Sequence, residues 1–228
     1  MYDIVFISYG ETYADHNWDL LKSKFPTAKR VDGVKGIHQA HIKAAKKCFT
    51  KMFWVVDADA QLVDDFNFDY EVDAWNLETV HVWRSINPVN GLEYGNGGVK
   101  LLPRKLTLKM DLTKPDMTTS ISDKFKVVER ISNVTAFNTD EYSTWRSAFR
   151  ECVKLASKTI DRQDEDETNE RLRVWQTARS NSPYGSYAIK GAQEGSSYGR
   201  ANQNNTEALK QINDYDWLYE QFSKHTLG

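Results

Sequence analysis

A mixed but mostly parallel α/β sheet flanked by helices, followed by a helical and loop-rich C-terminal extension, is the fold class this sequence predicts. Three observations carry it. The first 33 residues run strand, helix, strand; Met52-Phe53-Trp54-Val55-Val56 is apolar on both faces, as a strand inside a sheet must be; and short strand patterns then alternate with helical ones. The chain has 228 residues, 40% hydrophobic and 27% charged, enough for one domain with a substantial core. The expectation is a single domain over 1–228, with a core over 1–160 and an extension over 161–228 that holds a flexible loop at 181–205.

The elements follow in order. Ile4 to Ile7 is a compact apolar run closed by Ser8-Tyr9-Gly10-Glu11, which reads as a buried strand ending in a loop. Trp18, Leu20, Leu21 and Phe25 mark an amphipathic helix stopped near Pro26, and Arg30 to Gly33 a second strand or its exit. Ile37, Ala40, His41, Ala44, Ala45 and Cys48 recur at helical spacing up to Phe49, before the strand Met52 to Val56. Thr79 to Trp83 is a further strand, Gly91 to Gly98 a glycine-dense loop, Val99 to Leu102 a short apolar run, and Lys126 to Asn133 another strand. From Asp140 to Ile160 one helical face carries Trp145, Phe149, Cys152, Val153 and Ala156. Asp161 to Glu170 is acidic, Leu172 to Trp175 resumes a short helix, Asn181 to Asn205 reads as a loop or lid, and Leu209 to Phe222 docks a last helix.

Charge and composition exclude several classes. Lys plus Arg total 30 against 32 for Asp plus Glu, so the net charge of -2 gives no general attraction to polyanions. Apolar runs are only a few residues long, far short of the ~20 a spanning helix needs, and the start has no secretory pattern, so the expected place is the cytoplasm. Cys48 and Cys152 have no CxxC partners and read as small core residues. Locally the balance differs. Residues 57–78 hold eight carboxylates and no Lys or Arg, while residues 100–162 carry an excess of five positive charges.

Asp57-Ala58-Asp59 follows directly on the strongest strand, at the end where open α/β sheets bind ligands. Two carboxylates one residue apart point the same way from extended chain, and such hard oxygen ligands suit Mn²⁺ or Mg²⁺ on a diphosphate. On these residues the chain resembles the GT-A glycosyltransferases, nucleotide-sugar enzymes with a Rossmann-like sheet and a DxD metal motif, over residues 1 to 160. Narrower likenesses, from Asn87 to Lys100 and from Tyr142 to Cys152, resemble bacteriophage glycosyltransferases of the T-even-like group, some of which place sugars, arabinose included, on 5-hydroxymethylcytosine in DNA. The resemblance implies a UDP-sugar donor and a hydroxyl acceptor in phage DNA within the host cytoplasm. It also implies Asp57 and Asp59 at the metal, Ser8, Tyr9, Glu11 and Asp57 at the nucleoside, and Asn96, Gly97 and Gly98 beside donor and acceptor. Family members often add a late histidine to the metal; here the late histidine is His225, which reads better as an ordinary exposed residue, a departure from the family pattern.

Other residues enter on their own chemistry. Lys190 and Arg200 lie in the Tyr/Gly-rich segment, where cations on a lid would counter leaving-group charge. Asp140 or Glu141 is the candidate base for an inverting transfer. Arg146, Arg150, Lys154 and Lys158 stand four apart, a stripe able to follow a phosphate backbone, while Trp145 and Phe149 fit the core better than base stacking. Two rivals stand beside the transferase. A nucleotidyltransferase would need a glycine-rich basic loop after the first strand, where Ser8-Tyr9-Gly10-Glu11 is acidic; a non-catalytic DNA-binding or assembly accessory protein would use the basic helix alone.

Overall fold

The computed structural model describes residues 1–159, 164–178 and 181–226, with the backbone only at 96, 225 and 226. They form two compact units. Unit 1 (Met1–Asn87, Glu93–Thr113 and Met117–Ala136) contains β1 (Asp3–Ser8), α1 (Ala14–Lys24), β2 (Lys29–Asp32), α2 (Ile37–Lys46), β3 (Met52–Asp57), β4 (Ala60–Leu62), β5 (Val80–Ile86), β6 (Glu93–Pro103), α3 (Arg104–Thr107), α4 (Met117–Ile121) and β7 (Phe125–Thr135). Its strands join in the order β2-β1-β3-β6-β5-β7-β4.

The β-α-β opening is as expected, because Ile4 to Phe6, Val31 and Met52 to Val56 are all buried and β1 pairs in parallel with both β2 and β3. Beyond β3 the expectation of a mostly parallel sheet fails. β6 runs antiparallel to β3 and to β5, β7 is parallel to β5, and β4 is antiparallel to β7, so half of the six pairings are antiparallel. The sheet is mixed and curled into a half-barrel, and it is not the Rossmann-like GT-A fold. The physical reason lies in β6: Glu93 to Gly98, expected as a loop, belongs to a strand of 11 residues, and no crossover helix separates it from β5.

Side chains of the sheet fill two apolar layers. One gathers Phe6, Trp54, Phe66, Phe68 and Trp83, with Trp54 and Trp83 centroids 4.4 Å apart. The other packs Val5, Phe53, Val55 and Val82 on Ala44, Ala45 and Cys48 of α2. Burial pushes the Cys48 thiol up to about 12, the state of an inert core residue. The start of the sheet is tied by Asp3, whose carboxylate accepts from Lys29 Nζ (2.7 Å), Phe49 N (2.6 Å), Thr50 N (3.0 Å) and Thr50 Oγ1 (3.0 Å).

Unit 2 (Pro88–Leu92, Lys114–Asp116 and Phe137–Gly228) is helical: α5 (Glu141–Ser157), α6 (Glu165–Thr177), α7 (Gly185–Ala201), α8 (Thr206–Lys210) and α9 (Tyr215–Thr226). α5 has the predicted face, with Trp145, Phe149, Cys152 and Val153 buried; Ile160 lies outside the described residues. From Asp164 on the acidic stretch is the start of α6, its first three residues lying outside the described ones: Asp164 caps by accepting from Glu167 N (2.9 Å), and Glu165, Asp166 and Glu167 meet the positive end of the helix dipole.

The loop or lid expected over 181–205 is corrected: most of it is α7. Ala188, Gly191, Ala192, Gly195, Ser196 and Gly199 fall on one buried face, and this small-residue face lies against the backbone of α5. A methyl group at Gly191 or Gly195 would run into the carbonyl oxygens of Trp145 and Phe149, and one at Gly199 would stand 2.7 Å from that of Val153.

Two predictions follow from these contacts. Gly195→Ala gains up to about 1 kcal/mol of helix propensity but forces two backbones apart, so urea denaturation should show a net loss of about 2 kcal/mol, whereas exposed Gln193→Ala changes little. For Asp3, burial alone would raise the carboxyl, but the bonds from Lys29, Phe49 and Thr50 outweigh it and hold the group well below the usual carboxylate range. A depressed folded pKa gives stability that is present above the unfolded pKa and lost as pH falls. Asp3→Asn should therefore cost about 1 to 2 kcal/mol at pH 7, with mutant and wild type converging below pH of about 4; a constant difference down to pH 2 would refute the assignment.

Candidate functional site

Polar residues of unit 1 gather beside the end of β3, where β6, β5 and β7 lose their regular register. Val82 pairs with Lys100 but Arg84 with Gly95, so Trp83 alone faces the stretch from Asn96 to Val99. On its other side β5 skips Glu129, Arg130 and then Ser132 of β7. Such bulges bend strands and re-aim side chains, and they gather near functional sites. Gly97, at φ +86, takes the left-handed conformation the bulge requires.

The bulge turns the Gly97 carbonyl toward Lys100. The Lys100 side chain is only 2% exposed, and its ammonium donates to Asp57 Oδ1 (2.8 Å), Asp57 Oδ2 (2.7 Å) and Gly97 O (2.5 Å). An ammonium has three N–H groups, and these three acceptors use all of them. The Asp57 side chain remains 35% exposed, so a buried cation holds a carboxylate that faces solvent. Beside it, Ser132 Oγ donates to Asn133 Oδ1 (2.7 Å), Asn133 Nδ2 to Thr135 Oγ1 (3.1 Å), and Thr135 Oγ1 to Ser85 Oγ (3.3 Å). Gly98 admits the Asn133 amide, which a Cβ there would meet at 2.9 Å.

The other residues expected at the nucleoside lie at the end of β1 and in the loop after it. Ser8 is buried; its hydroxyl donates to Asp32 Oδ1 (2.6 Å) and accepts from Arg30 Nε (2.9 Å). Arg30 also reaches Asp15 (2.7 Å). In the following loop the Tyr9 N–H donates to Glu11 Oε2 (2.7 Å), and the Tyr9 ring is exposed. Thus Ser8, Asp57, Gly97 and Gly98 lie on the sheet of unit 1 and Tyr9 and Glu11 in the loop that follows β1; the side chain of Asn96 lies outside the described residues.

The remaining expected site residues belong to unit 2. Asp140 caps α5, accepting from Ser143 N and Ser143 Oγ, both at 2.7 Å. Burial works against its charge, but the Ser143 and Thr139 bonds prevail and hold its carboxyl below the usual range, which weakens it as a base. Glu141 is exposed on the first turn. Lys190 and Arg200 stand on α7 and not on a lid. The stripe on α5 is engaged within the unit: Arg146 stacks on Tyr142 and Tyr215 (5.2 and 4.5 Å), Arg150 donates to Ile212 O (2.8 Å), and Lys154 and Lys158 pair with Asp116 (3.4 Å) and Glu165 (3.2 Å).

The residues do not fit the metal centre that the resemblance implied. Asp57 already has a cation on both oxygens, and among the described residues no group of three or more His, Cys, Asp and Glu is placed to hold an ion. Asp59 belongs to the turn after β3, where its carbonyl accepts from Ala136 N (2.7 Å), and the side chain of His225 is not among those described. Sequence reasoning missed Lys100, although a single charge inside Val99-Lys100-Leu101-Leu102 was its signal.

Removing one member of the pair should cost more than removing both would suggest. Asp57→Asn leaves a buried ammonium facing a neutral amide, for a loss of about 2 to 4 kcal/mol, whereas Lys100→Met leaves a carboxylate that water can reach and costs less. In a double-mutant cycle read by urea denaturation the coupling should exceed about 1 kcal/mol; additivity within about 0.3 kcal/mol would show that the two do not act as a pair.

No protein-family model matches the chain, and no curated protein matches it in sequence. With the mixed half-barrel sheet and the lysine-bound Asp57, this removes the support for a GT-A enzyme, and sugar transfer to DNA from a UDP-sugar through Mn²⁺ is not the activity these residues describe.

Proposed function

We propose that unit 1 is a binding domain for small molecules rich in hydrogen-bond donors, polyols and nucleosides among them, with the Asp57 carboxylate as its fixed acceptor. One observation carries the proposal: Lys100, buried and with all three N–H groups spent, immobilises a carboxylate that is itself open to solvent. A side chain held in this way loses little freedom when a ligand arrives, which is the usual advantage of a preorganised site. Its position supports the same conclusion, since β3 ends there and parallel strands present ligand-binding residues at their carboxyl ends.

The chemistry selects the ligand. A carboxylate only accepts hydrogen bonds, and Lys100 has none left to donate, so hydroxyl and amino groups are favoured over phosphate. A nucleoside belongs to this class through its ribose hydroxyls. The place of action is the cytoplasm, in keeping with two buried cysteines that form no disulfide; no helix among the described residues is long and apolar enough to cross a membrane.

The test is thermal denaturation with uridine, UDP, sorbitol and inorganic phosphate, each with and without Mg²⁺, in wild type and Asp57→Asn. Ligand that binds only the native state raises its stability by mass action, by about 2.7 kcal/mol at 100 times Kd. Uridine or sorbitol should raise Tm without metal, phosphate should not, and Asp57→Asn should abolish the shift. A phosphate shift as large as that of uridine, or an undiminished shift in Asp57→Asn, would overturn the proposal. Mass spectrometry of the recovered ligand then reads whether the protein alters what it binds.

A further inference from the structure

β7 is nearly an edge strand. On one side it pairs with β5 from Phe125 to Val134, but on the other β4 covers only Asn133 to Thr135, and Val63 N adds a single bond to Ser132 O (3.0 Å). From Phe125 to Ile131 no strand of the described residues pairs on that side. Backbone N–H and C=O groups directed there form a ready template for another strand.

The side chains along this edge alternate in chemistry. Phe125 and Val127 are 44% and 39% exposed, and Gly95 leaves room for the Val127 methyl groups, which a Cβ there would meet at 3.1 Å. On the opposite face stand Lys126 and Arg130, both exposed. They are held in place by neutral groups: Lys126 donates to Tyr70 Oη (3.2 Å), and Arg130 donates to Asn67 Oδ1 (3.0 Å) and the Asp65 carbonyl while lying over the Phe66 ring. Neither makes a direct ion pair among the described residues, unlike neighbouring Lys124 with Glu78 and Glu129 with Arg84, although Lys126 acts on the Asp73 carboxylate from farther away.

We infer that the free edge of β7 is a strand-addition site for an extended peptide segment that alternates acidic with apolar residues. Backbone bonds to the edge supply affinity, and alternate side chains supply specificity: carboxylates opposite Lys126 and Arg130, apolar groups beside Phe125 and Val127. A second copy of this chain is the poorer occupant. Two-fold antiparallel pairing about Val128 sets Lys126 against Arg130, pairing about Val127 sets Lys124 against Arg130, and pairing about Glu129 sets that residue against itself.

The experiment is fluorescence anisotropy of the full chain with a labelled heptapeptide alternating valine with glutamate. Controls carry lysine in place of each glutamate, or a central proline. The glutamate peptide should bind about tenfold more tightly than either control, and Lys126→Glu should remove the charge preference, because the new carboxylate offsets Arg130. Hydrogen exchange should then show new protection confined to amides between residues 125 and 131. Equal binding of the two charge forms, or no anisotropy change with any peptide at millimolar concentration, would overturn the inference. So would a dimer in sedimentation velocity whose formation by itself protects the amides between residues 125 and 131, because it would assign the edge to a second copy.

Discussion

Lys100 enters the sheet where parallel β3 is hydrogen-bonded to antiparallel β6, and its ammonium has no water to turn to. An unpaired cation there would cost several kcal/mol, so the surrounding chain must deliver acceptors. Two come from Asp57, the last residue of β3, and the third from Gly97, whose positive φ exists only because β6 bulges opposite Trp83. The demand for three acceptors at one nitrogen thus fixes the length of β3, the bulge of β6 and the glycine within it. The antiparallel crossing is part of the same arrangement, since it places residue 100 beside Val55 and brings residues 97 and 98 to the height of Asp57.

That local geometry spreads along the sheet. Once β6 bulges, Gly98 comes against the Asn133 amide, and β7 must bulge at Glu129, Arg130 and Ser132 to keep pace with β5. Bulges increase twist and bend a strand, which accords with a sheet that curls into a half-barrel. The largely buried side-chain chain Ser132-Asn133-Thr135-Ser85 lies along the same irregular stretch, where its members satisfy one another. On the far side, the bent β7 meets β4 over only three residues, so its first half is left as an open edge.

Much of unit 1 was legible because its signals are local. Ile4 to Ile7 and Met52 to Val56 read as buried strands, and in unit 2 Trp145, Phe149 and Cys152 likewise mark the inner face of α5. Strand direction was not legible: β6 returns antiparallel through glycines that look the same in a loop and in a bulged strand. α7 was missed for a different reason. Its composition of Gly, Ser and Tyr suggests a loop, but positions 188, 191, 192, 195, 196 and 199 keep helical spacing with small residues in place of apolar ones. The periodicity was present; its meaning, a helix packed directly on another backbone, requires a partner that the segment itself does not contain. Asp57-Ala58-Asp59 shows the opposite failure, since a local motif invites a metal until the long-range partner of Asp57 is known.

Stability alone does not explain Lys100. Its neighbours Val99, Leu101 and Leu102 are fully buried hydrocarbons, and a methionine at position 100 with a neutral residue at 57 would relieve the sheet of a buried charge. What an apolar pair cannot supply is a carboxylate fixed in direction at the end of β3 and open to solvent. The lone pairs of Asp57 that face outward are aimed by the two that face Lys100, so the desolvation cost is borne by the buried partner while the useful half of the pair stays wet. A sheet selected only to pack would have no reason to keep this division; one selected to hold an acceptor still for a ligand would.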